Sequence, residues 1–187
     1  MTGDAGTRSA KRARATVFED VLGSLPATAR ILDAGGGNGV PMLTWANRSA
    51  TGIGLDITPR KFYRTRRNAP TAPLVQGDMR ALPFRENTFD MITANHSITH
   101  VPDRQHRTVI AEFARVLRSG GQLILLTNAA EWGDVPLLTE DYTGSIDAIQ
   151  ERLVAAGFSN IEKETIQAEF ITDETTEEHF LRANYTE

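Results

Sequence analysis

The stretch that decides the fold is Arg30-Ile31-Leu32-Asp33-Ala34-Gly35-Gly36-Gly37-Asn38-Gly39-Val40. Its first half is mostly apolar and predicts a short buried strand. Its second half has glycine at alternate positions and predicts a tight turn that opens a helix, because glycine tolerates positive φ and lets a ligand or another backbone come close. Ligands of open α/β sheets lie at the carboxyl ends of the strands, so the turn favours a nucleotide-like ligand. A glycine turn alone is equally compatible with a plain connection between a strand and a helix.

A second apolar run, residues 51–55, ends at Asp56, about twenty positions beyond the turn, where an acidic residue would hold a pair of ribose hydroxyls. The dinucleotide pattern needs a glycine at the position of Val40. No lysine or arginine lies between Asp33 and Asn47, so a phosphate would depend on the helix N-terminus and on backbone amides. Asp33 would repel a pyrophosphate and attract a cation. S-adenosylmethionine carries adenine, ribose and a sulfonium cation without a phosphate, and it fits these residues better than a dinucleotide.

The composition is that of an ordinary globular domain, and it argues against several classes of function. With 187 residues, 40% hydrophobic and 24% charged, the chain is expected to form one domain over residues 1–187, with residues 1–9 flexible. The net charge of −4 argues against a nucleic-acid partner. The absence of cysteine excludes disulfides, thiolate zinc sites and a cysteine nucleophile. No apolar run is long enough to cross a bilayer and no signal peptide is recognised, so a cytoplasmic protein without a membrane partner is expected.

Apolar periodicity predicts strands and helices that alternate along the chain. The predicted strands cover residues 30–34, 50–55, 74–75, 88–94, 122–127 and 160–171. The predicted helices cover residues 10–22, 40–47, 103–117, 145–156 and 175–184, and a further helix is capped by Thr58 and begins at Pro59. Residues 119–121, Ser-Gly-Gly, are expected to form the turn before the fifth strand. The alternation predicts an α/β fold with a doubly wound, mostly parallel, Rossmann-like sheet.

Five segments, in order along the chain, resemble the signatures of the class I S-adenosylmethionine-dependent methyltransferases. They are residues 31–39, 54–58, 76–84, 89–95 and 115–121. The subgroup that the chain resembles is the small-molecule type, similar to the quinone-biosynthesis C-methyltransferases. The resemblance implies the class I methyltransferase fold, S-adenosyl-L-methionine as the methyl donor with S-adenosyl-L-homocysteine as the product, and a small organic acceptor.

The end of the chain departs from the family pattern. A complete class I sheet has seven strands, of which the last two form an antiparallel hairpin at one edge. Only one strand is predicted after Gly157. The seventh strand is therefore expected to be missing or shortened, unless residues 160–171 fold into both strands. An open sheet edge would pair with a second copy of the chain or with a partner subunit.

The resemblance implies eight cofactor-binding residues. These are Asp33, Gly35, Gly37, Asp56, Ile57, Asp78, Met79 and Asn95. At the adenosine end, Asp56 would accept both ribose hydroxyls, and Ile57 would flank the face of the adenine. Asp78 would accept the adenine amino group, and Met79 would offer its backbone N–H to the ring.

At the methionine end, Asp33 would lie under the amino group and the sulfonium. Gly35 and Gly37 would let the backbone approach the ligand, and Asn95 would contact the methionine portion through its backbone. Structural alternatives stay open for these positions. The two aspartates at strand ends could cap helices, Asp78 could occupy a plain turn, and Asn95 could hold the turn after the fourth strand.

The candidate catalytic residues lie just past the fourth strand, where three of the four histidines, His96, His100 and His106, are grouped with Asp103. An oxygen or carbon acceptor needs a base to take its proton. His96 or His100 is the candidate base, and helix capping or packing is the alternative role for both. No metal is expected, because this segment is predicted to be a turn and not one face of a helix.

The sequence at the end of the fourth strand also argues against some classes of methyl acceptor. It reads Thr93-Ala94-Asn95-His96, not the Asn/Asp-Pro-Pro-Tyr/Phe run that resembles amino-group methylation of adenine or glutamine. No acidic cation site of the catechol type is recognised, so a small organic acceptor is expected. One alternative is a protein that keeps the cofactor site without transferring methyl groups. A second is an RNA methyltransferase that uses the basic residues at 60–67, and the net charge argues against it.

Overall fold

Seven strands form one sheet in the computed structural model, which describes residues 21–39, 42–44, 51–128, 145–169 and 175–186. The strands are β1 (Arg30–Ala34), β2 (Thr51–Asp56), β3 (Leu74–Gln76), β4 (Phe89–Asn95), β5 (Leu117–Asn128), β6 (Phe158–Glu169) and β7 (Thr175–Tyr185). Their order across the sheet is β3-β2-β1-β4-β5-β7-β6. Strands β1 to β5 run parallel, and β7 runs antiparallel to β5 and β6. The predicted α/β fold with a mostly parallel sheet is confirmed.

Helices connect the parallel strands. Those with described bounds are α1 (Phe62–Asn68), α2 (His106–Val116) and α3 (Ile146–Ala155), and residues 21–23 and 42–44 are also helical. Single 3-10 turns precede α1 at Pro59–Lys61 and α2 at Asp103–Gln105, and a third lies at Ile98–His100. Helix α3 begins after Ser145, whose side-chain oxygen accepts a hydrogen bond from the backbone N–H of Ala148 at 3.1 Å. The predicted flexible residues 1–9 lie outside the described residues. So do residues 10–20, 40–41 and 45–47 of the first two predicted helices and residues 50 and 170–171 of two predicted strands.

Both faces of the sheet are covered, which explains the nearly continuous apolar runs in its central strands. In β1, Ile31 packs into a cluster with Phe180, while its neighbour Leu32 packs into the larger cluster on the opposite face. Helix α2 lies on the larger cluster and buries Ile110 and Phe113 there. The strand order reverses between β1 and β4, so the carboxyl ends of these two strands open the crevice in which ligands of such sheets bind.

The predicted boundaries agree with the structure where a local pattern sets them. β1 begins and ends as predicted, β3 ends one residue later than predicted, and β2 and β4 both begin and end one residue later. The turn predicted at residues 119–121 is wrong, because β5 begins at Leu117 and runs through it. The pairing of β4 with β5 shifts register between Phe89 and Met91, so the Ser-Gly-Gly residues are accommodated within the strand as an irregularity.

The predictions for the end of the chain are wrong. Residues 175–184 are not a helix but most of β7, and the seventh strand is neither missing nor shortened. Glutamate, leucine and alanine in this segment favour a helix locally, but pairing along both edges and burial between β5 and β6 override that propensity. Since β7 already pairs with β5, the reason for expecting a partner subunit at an open edge there disappears. Within the described residues, no helix combines the length and the apolar character that crossing a membrane requires.

Candidate functional site

Two adjoining cavities lie at the carboxyl ends of β1, β2 and β4. The first has a volume of about 330 Å³ and the second about 450 Å³. Five residues line both cavities: Gly35, Gly37, Lys61, Asn95 and His96. Together the cavities fall in the size range of pockets that hold a cofactor or a small ligand. They form the candidate site.

The glycine turn forms the floor that the cavities share. The backbone N–H of Gly35 donates to Leu55 O at 2.7 Å, which fixes the turn against the end of β2. A Cβ at Gly35 would lie 2.3 Å from the Cβ of Ser97, so this glycine is needed for packing against the segment after β4. At Gly37, with φ of +53°, the nearest atom to an added Cβ is Gly35 O at 3.9 Å. The space over Gly37 therefore belongs to the cavity.

Asp33 is a buried carboxyl group at the end of β1 and lines the first cavity. Its Oδ1 accepts a hydrogen bond from the hydroxyl of Thr93 at 3.2 Å. Burial raises the pKa of Asp33 from 3.8 to about 7, the hydrogen bond from Thr93 opposes the rise, and the charge of Asp56 adds to it. A cation bound in the cavity would favour the ionised form of Asp33.

Asp56 is the second buried carboxylate, at the end of β2. Its Oδ1 accepts from the backbone N–H of Thr58 at 2.8 Å, and its Oδ2 accepts from the N–H of Gly37 at 3.3 Å. The ammonium nitrogen of Lys61 lies 3.4 Å from Oδ2. The prediction that the Thr58 side chain caps the following helix is wrong, because that side chain makes no capping hydrogen bond and the carboxylate of Asp56 holds the turn instead.

The second cavity is lined by the three remaining predicted residues of the adenosine end, Ile57, Asp78 and Met79. Ile57 is 59% exposed, so an apolar side chain stands at the lip of this cavity. The Nε of Arg80 donates to both carboxylate oxygens of Asp78 at 2.9 Å, and this bonding holds the pKa of Asp78 below its usual range. Arg80 also donates to Gln105 at 2.7 Å. The carboxylate of Asp78 is thus already engaged within the chain.

Asn95 and the two candidate bases follow at the end of β4. The side-chain oxygen Oδ1 of Asn95 is buried and has no hydrogen-bond partner among the described residues. His96 lines both cavities, and its φ of +49° turns the chain sharply after the strand. His100 lines only the second cavity, and burial lowers its pKa, with the positive charges of Lys61 and His96 adding to the fall.

The other members of the predicted histidine cluster are structural. His106 is buried, with its Nε2 2.9 Å from Val101 O and 3.1 Å from Ile98 O. The two terminal guanidinium nitrogens of Arg152, Nη1 and Nη2, donate to Asp103 at 2.6 and 2.8 Å. These contacts tie α3 to the segment between β4 and α2, and they hold His106 and Asp103 away from the candidate site.

Three side chains of the site were not singled out by sequence reasoning: Lys61, Arg80 and Glu178. Lys61 belongs to the basic run at residues 60–67, whose spacing is also that of a solvated helix face. Arg80 stands two positions after Asp78, a signal that was available in the sequence. Glu178 could not be located, because it lies in the segment for which a helix was predicted.

The residues present fit S-adenosylmethionine. The site combines two buried carboxyl groups on neighbouring strands, a buried amide oxygen without a partner in the described chain, and open space over a glycine. Buried carboxyl groups beside a partly apolar crevice suit a ligand that carries a cation, a ribose and a flat ring.

Residues 32–125, about half of the chain, match the family described as a methyltransferase domain. The chain belongs to the class I S-adenosylmethionine-dependent methyltransferases. S-adenosylmethionine is the cofactor of this family, and the resemblance drawn from the five sequence segments is confirmed.

The relatives of this chain include enzymes named for small-molecule acceptors. It is 32% identical over 156 residues to the 27-O-demethylrifamycin SV methyltransferase of Amycolatopsis mediterranei, covering 79% of the chain and 54% of that relative. It is 34% identical over 111 residues to a ubiquinone/menaquinone biosynthesis C-methyltransferase of Dinoroseobacter shibae, covering 54% of the chain and 42% of that relative. The chain thus spans about half the length of these curated relatives.

The solved structures agree on the fold. An S-adenosylmethionine-dependent methyltransferase of Methanosarcina mazei superimposes with a TM-score of 0.75 over 89% of the chain and 97% of that protein. The sequence identity is 20%, so this likeness shows the fold alone.

Proposed function

We propose that the chain binds S-adenosylmethionine across the two cavities and transfers its methyl group to a small organic acceptor. The observation that carries the proposal is the pair of buried carboxyl groups, Asp33 and Asp56, at the ends of neighbouring strands beside one glycine turn. Buried acids are costly for a fold unless they are paired or have a ligand to hold. Asp33 lines the first cavity and Asp56 lines the second, so a cationic ligand that spans both cavities would meet both groups.

In this proposal each end of the cofactor has its own residues. Asp56 would hold the ribose hydroxyls, and Ile57 would cover one face of the adenine. Asp78 and the backbone N–H of Met79 would hold the edge of the ring. The bonding of Asp78 to Arg80 keeps this carboxylate ionised and fixed in position for that role.

At the methionine end, Asp33 would neutralise the cation of the ligand, and Gly35 and Gly37 would allow the backbone to approach it. Asn95 is assigned to the same end, and its unpartnered side-chain oxygen adds an acceptor for the ligand ammonium group beside its backbone.

The sulfonium supplies a methyl group that is ready for in-line displacement. The chain must hold the acceptor in line and exclude water, and such positioning can contribute about 7–11 kcal/mol to lowering the barrier. An oxygen or carbon acceptor must also lose a proton, for which His96 or His100 is the proposed base. The relatives named for rifamycin and quinone substrates support a small organic acceptor, and the net charge of −4 opposes a nucleic acid.

Calorimetric titration of the chain with S-adenosylmethionine and with S-adenosylhomocysteine tests the cofactor site. We expect micromolar binding of both. Asp56→Asn should weaken binding by about 100-fold, because the side chain loses its charge and one of its two acceptor oxygens. Asp90→Asn is the matched control, since Asp90 accepts from the backbone N–H of Arg30 at 2.8 Å at the opposite end of the sheet. Equal affinities for the two variants would contradict the site.

Methyl transfer is tested separately, by following S-adenosylhomocysteine formation with a panel of small phenols, hydroxyquinones and amines. Product that depends on one acceptor class supports the proposed activity. Tight binding of the cofactor without product from any acceptor would favour the alternative of a cofactor-binding protein that does not methylate.

A further inference from the structure

Glu178 is a fully buried glutamate that β7 brings to the carboxyl edge of the sheet, although it is remote in sequence from the rest of the site. It lies opposite Asn128 at the end of β5. The end of β4 meets the same part of β5, because the backbone N–H of His96 donates to Leu126 O at 2.8 Å. One strand, β5, thus lies between Glu178 on β7 and His96 at the end of β4, and the two side chains reach each other at the edge of the sheet.

The contact is direct. The Nε2 of His96 lies 3.3 Å from the Oε1 of Glu178. The histidine side chain is 30% exposed and lines both cavities, whereas the glutamate side chain has no exposed surface. One end of the pair therefore opens on the candidate site and the other is shielded from water. Buried ion pairs add little to stability on average, so this arrangement points to a role in the site.

We infer that Glu178 is a positioning residue for His96 and makes it the base of the reaction. This inference rests on the proposed function. With Nε2–H held toward the carboxylate, neutral His96 keeps a free electron pair on Nδ1, for which the described residues offer no hydrogen bond. A carboxylate behind a histidine fixes its tautomer and stabilises the imidazolium that forms when it takes a proton.

The arrangement selects an acceptor with a hydroxyl group, such as a phenol or an enol. As the acceptor oxygen forms its bond to the methyl carbon, its proton passes to Nδ1 of His96. The bond between that carbon and sulfur breaks, and its electron pair stays on the sulfur of the neutral thioether. The imidazolium charge is balanced by Glu178, and the proton then leaves to solvent.

Other titratable and charged groups line the same cavities as His96. They are Asp33, Asp56, Lys61, Arg64, Asp78, Arg80 and His100. Glu178 is the acid in direct contact with the ring. His100 has no such contact with a carboxylate among the described residues, which distinguishes the two candidate bases.

The first test needs no substitution and uses the full chain without ligand. Long-range nitrogen–proton NMR spectra report which ring nitrogen of a neutral histidine carries the proton, and His96→Asn assigns the His96 signals among the four histidines. We expect the Nε2–H tautomer for His96. The Nδ1–H tautomer would overturn the inference, whatever the variants do.

The second test follows the same signals in a pH titration. Glu178→Gln removes the charge and keeps the shape, so the protonated form of His96 should appear only at lower pH than in the unmodified chain. Glu164→Gln, which changes an exposed glutamate on β6, is the control and should give the same titration curve as the unmodified chain. An unchanged titration curve in the Glu178 variant would overturn the inference.

The third test is kinetic and uses the acceptor found in the product screen. Glu178→Gln should lower kcat by about 10- to 100-fold, leave KM for S-adenosylmethionine unchanged, and move the acid limb of the pH profile to lower pH. A loss confined to KM or to folding would overturn the positioning role. Binding of the cofactor without turnover in the unmodified chain would refute the proposed methyl transfer, and the NMR results would still decide whether Glu178 orients His96.

Discussion

Asp33→Asn should remove a large pH dependence from the stability of the unliganded chain. Burial raises the pKa of Asp33 to about 7, against 3.8 for an exposed aspartate. Between these two pH values the folded chain keeps a proton on Asp33 that the unfolded chain has released. Because the folded state binds more protons in this window, its free energy of unfolding falls as the pH rises from about 4 to about 7.

The size of the effect follows from the same pKa values. Each pKa unit corresponds to about 1.4 kcal/mol, so ionising Asp33 in its buried site costs the folded chain about 4 kcal/mol. The free energy of unfolding of an ordinary domain is about 5–15 kcal/mol, so this cost is a large part of the total. Asparagine has no proton to lose and can still accept a hydrogen bond from Thr93. The variant should therefore gain about 4 kcal/mol relative to the unmodified chain between pH 4 and pH 8.

Urea denaturation followed by circular dichroism at half-unit steps from pH 4.5 to pH 8 measures this difference. Asp147→Asn, at an exposed position of α3, controls for the general effect of removing a carboxylate. We expect the stability difference between Asp33→Asn and the unmodified chain to widen steadily up to about pH 7 and then to level off. A difference that stays constant across the whole range would refute the reasoning from burial.

Three further predictions concern the site and its support. The affinity for S-adenosylmethionine should rise as the pH passes through about 7. At pH 6, calorimetry in buffers of different ionisation enthalpy should detect release of up to about one proton on binding, and Asp33→Asn should abolish this release. Equal proton release by both chains would contradict the prediction. Arg152→Met should lower the free energy of unfolding by about 2 kcal/mol in urea, because two charged hydrogen bonds to Asp103 are lost, and a change below about 0.5 kcal/mol would contradict it. Gly35→Ala should lower the free energy of unfolding by about 1–3 kcal/mol, because the added Cβ clashes with the segment after β4. Gly37→Ala should lower it by about 1–2 kcal/mol and should chiefly weaken cofactor binding. A larger loss of stability in the Gly37 variant than in the Gly35 variant would contradict the prediction.

Local patterns predicted most of the fold. The parallel strands were placed to within a residue or so at most ends, because each combines an apolar run with turn residues at its limits. Strand β7 was missed for a physical reason. Its sequence carries good helix formers, and its conformation depends on pairing with β5 and β6, which are distant in sequence. Pairing of that kind leaves little trace in a local pattern.

The residues of the candidate site also divide into those that a local pattern predicted and those that it did not. Asp33 and Asp56 could be placed in advance, because residues at the carboxyl ends of neighbouring parallel strands meet at one edge. Their surroundings could not. The ion pair between Lys61 and Asp56 depends on the direction of a long side chain, and the contact between Glu178 and His96 depends on β7. The sequence therefore predicted carboxyl groups that line the candidate site, but not the side chains that contact them.

The charge balance of the site connects stability to the proposed reaction. Asp56 lies beside Lys61 and Glu178 beside His96, whereas Asp33 receives only the hydroxyl of Thr93 within the described residues. The free energy that ionised Asp33 costs the unliganded fold is recovered when a cation binds beside it. Methyl transfer would convert the sulfonium cation into a neutral thioether. Ionised Asp33 would then lose part of the stabilisation that the cation gave it. The same buried carboxyl group would thus favour the donor over the product, at the expense of the stability of the empty fold.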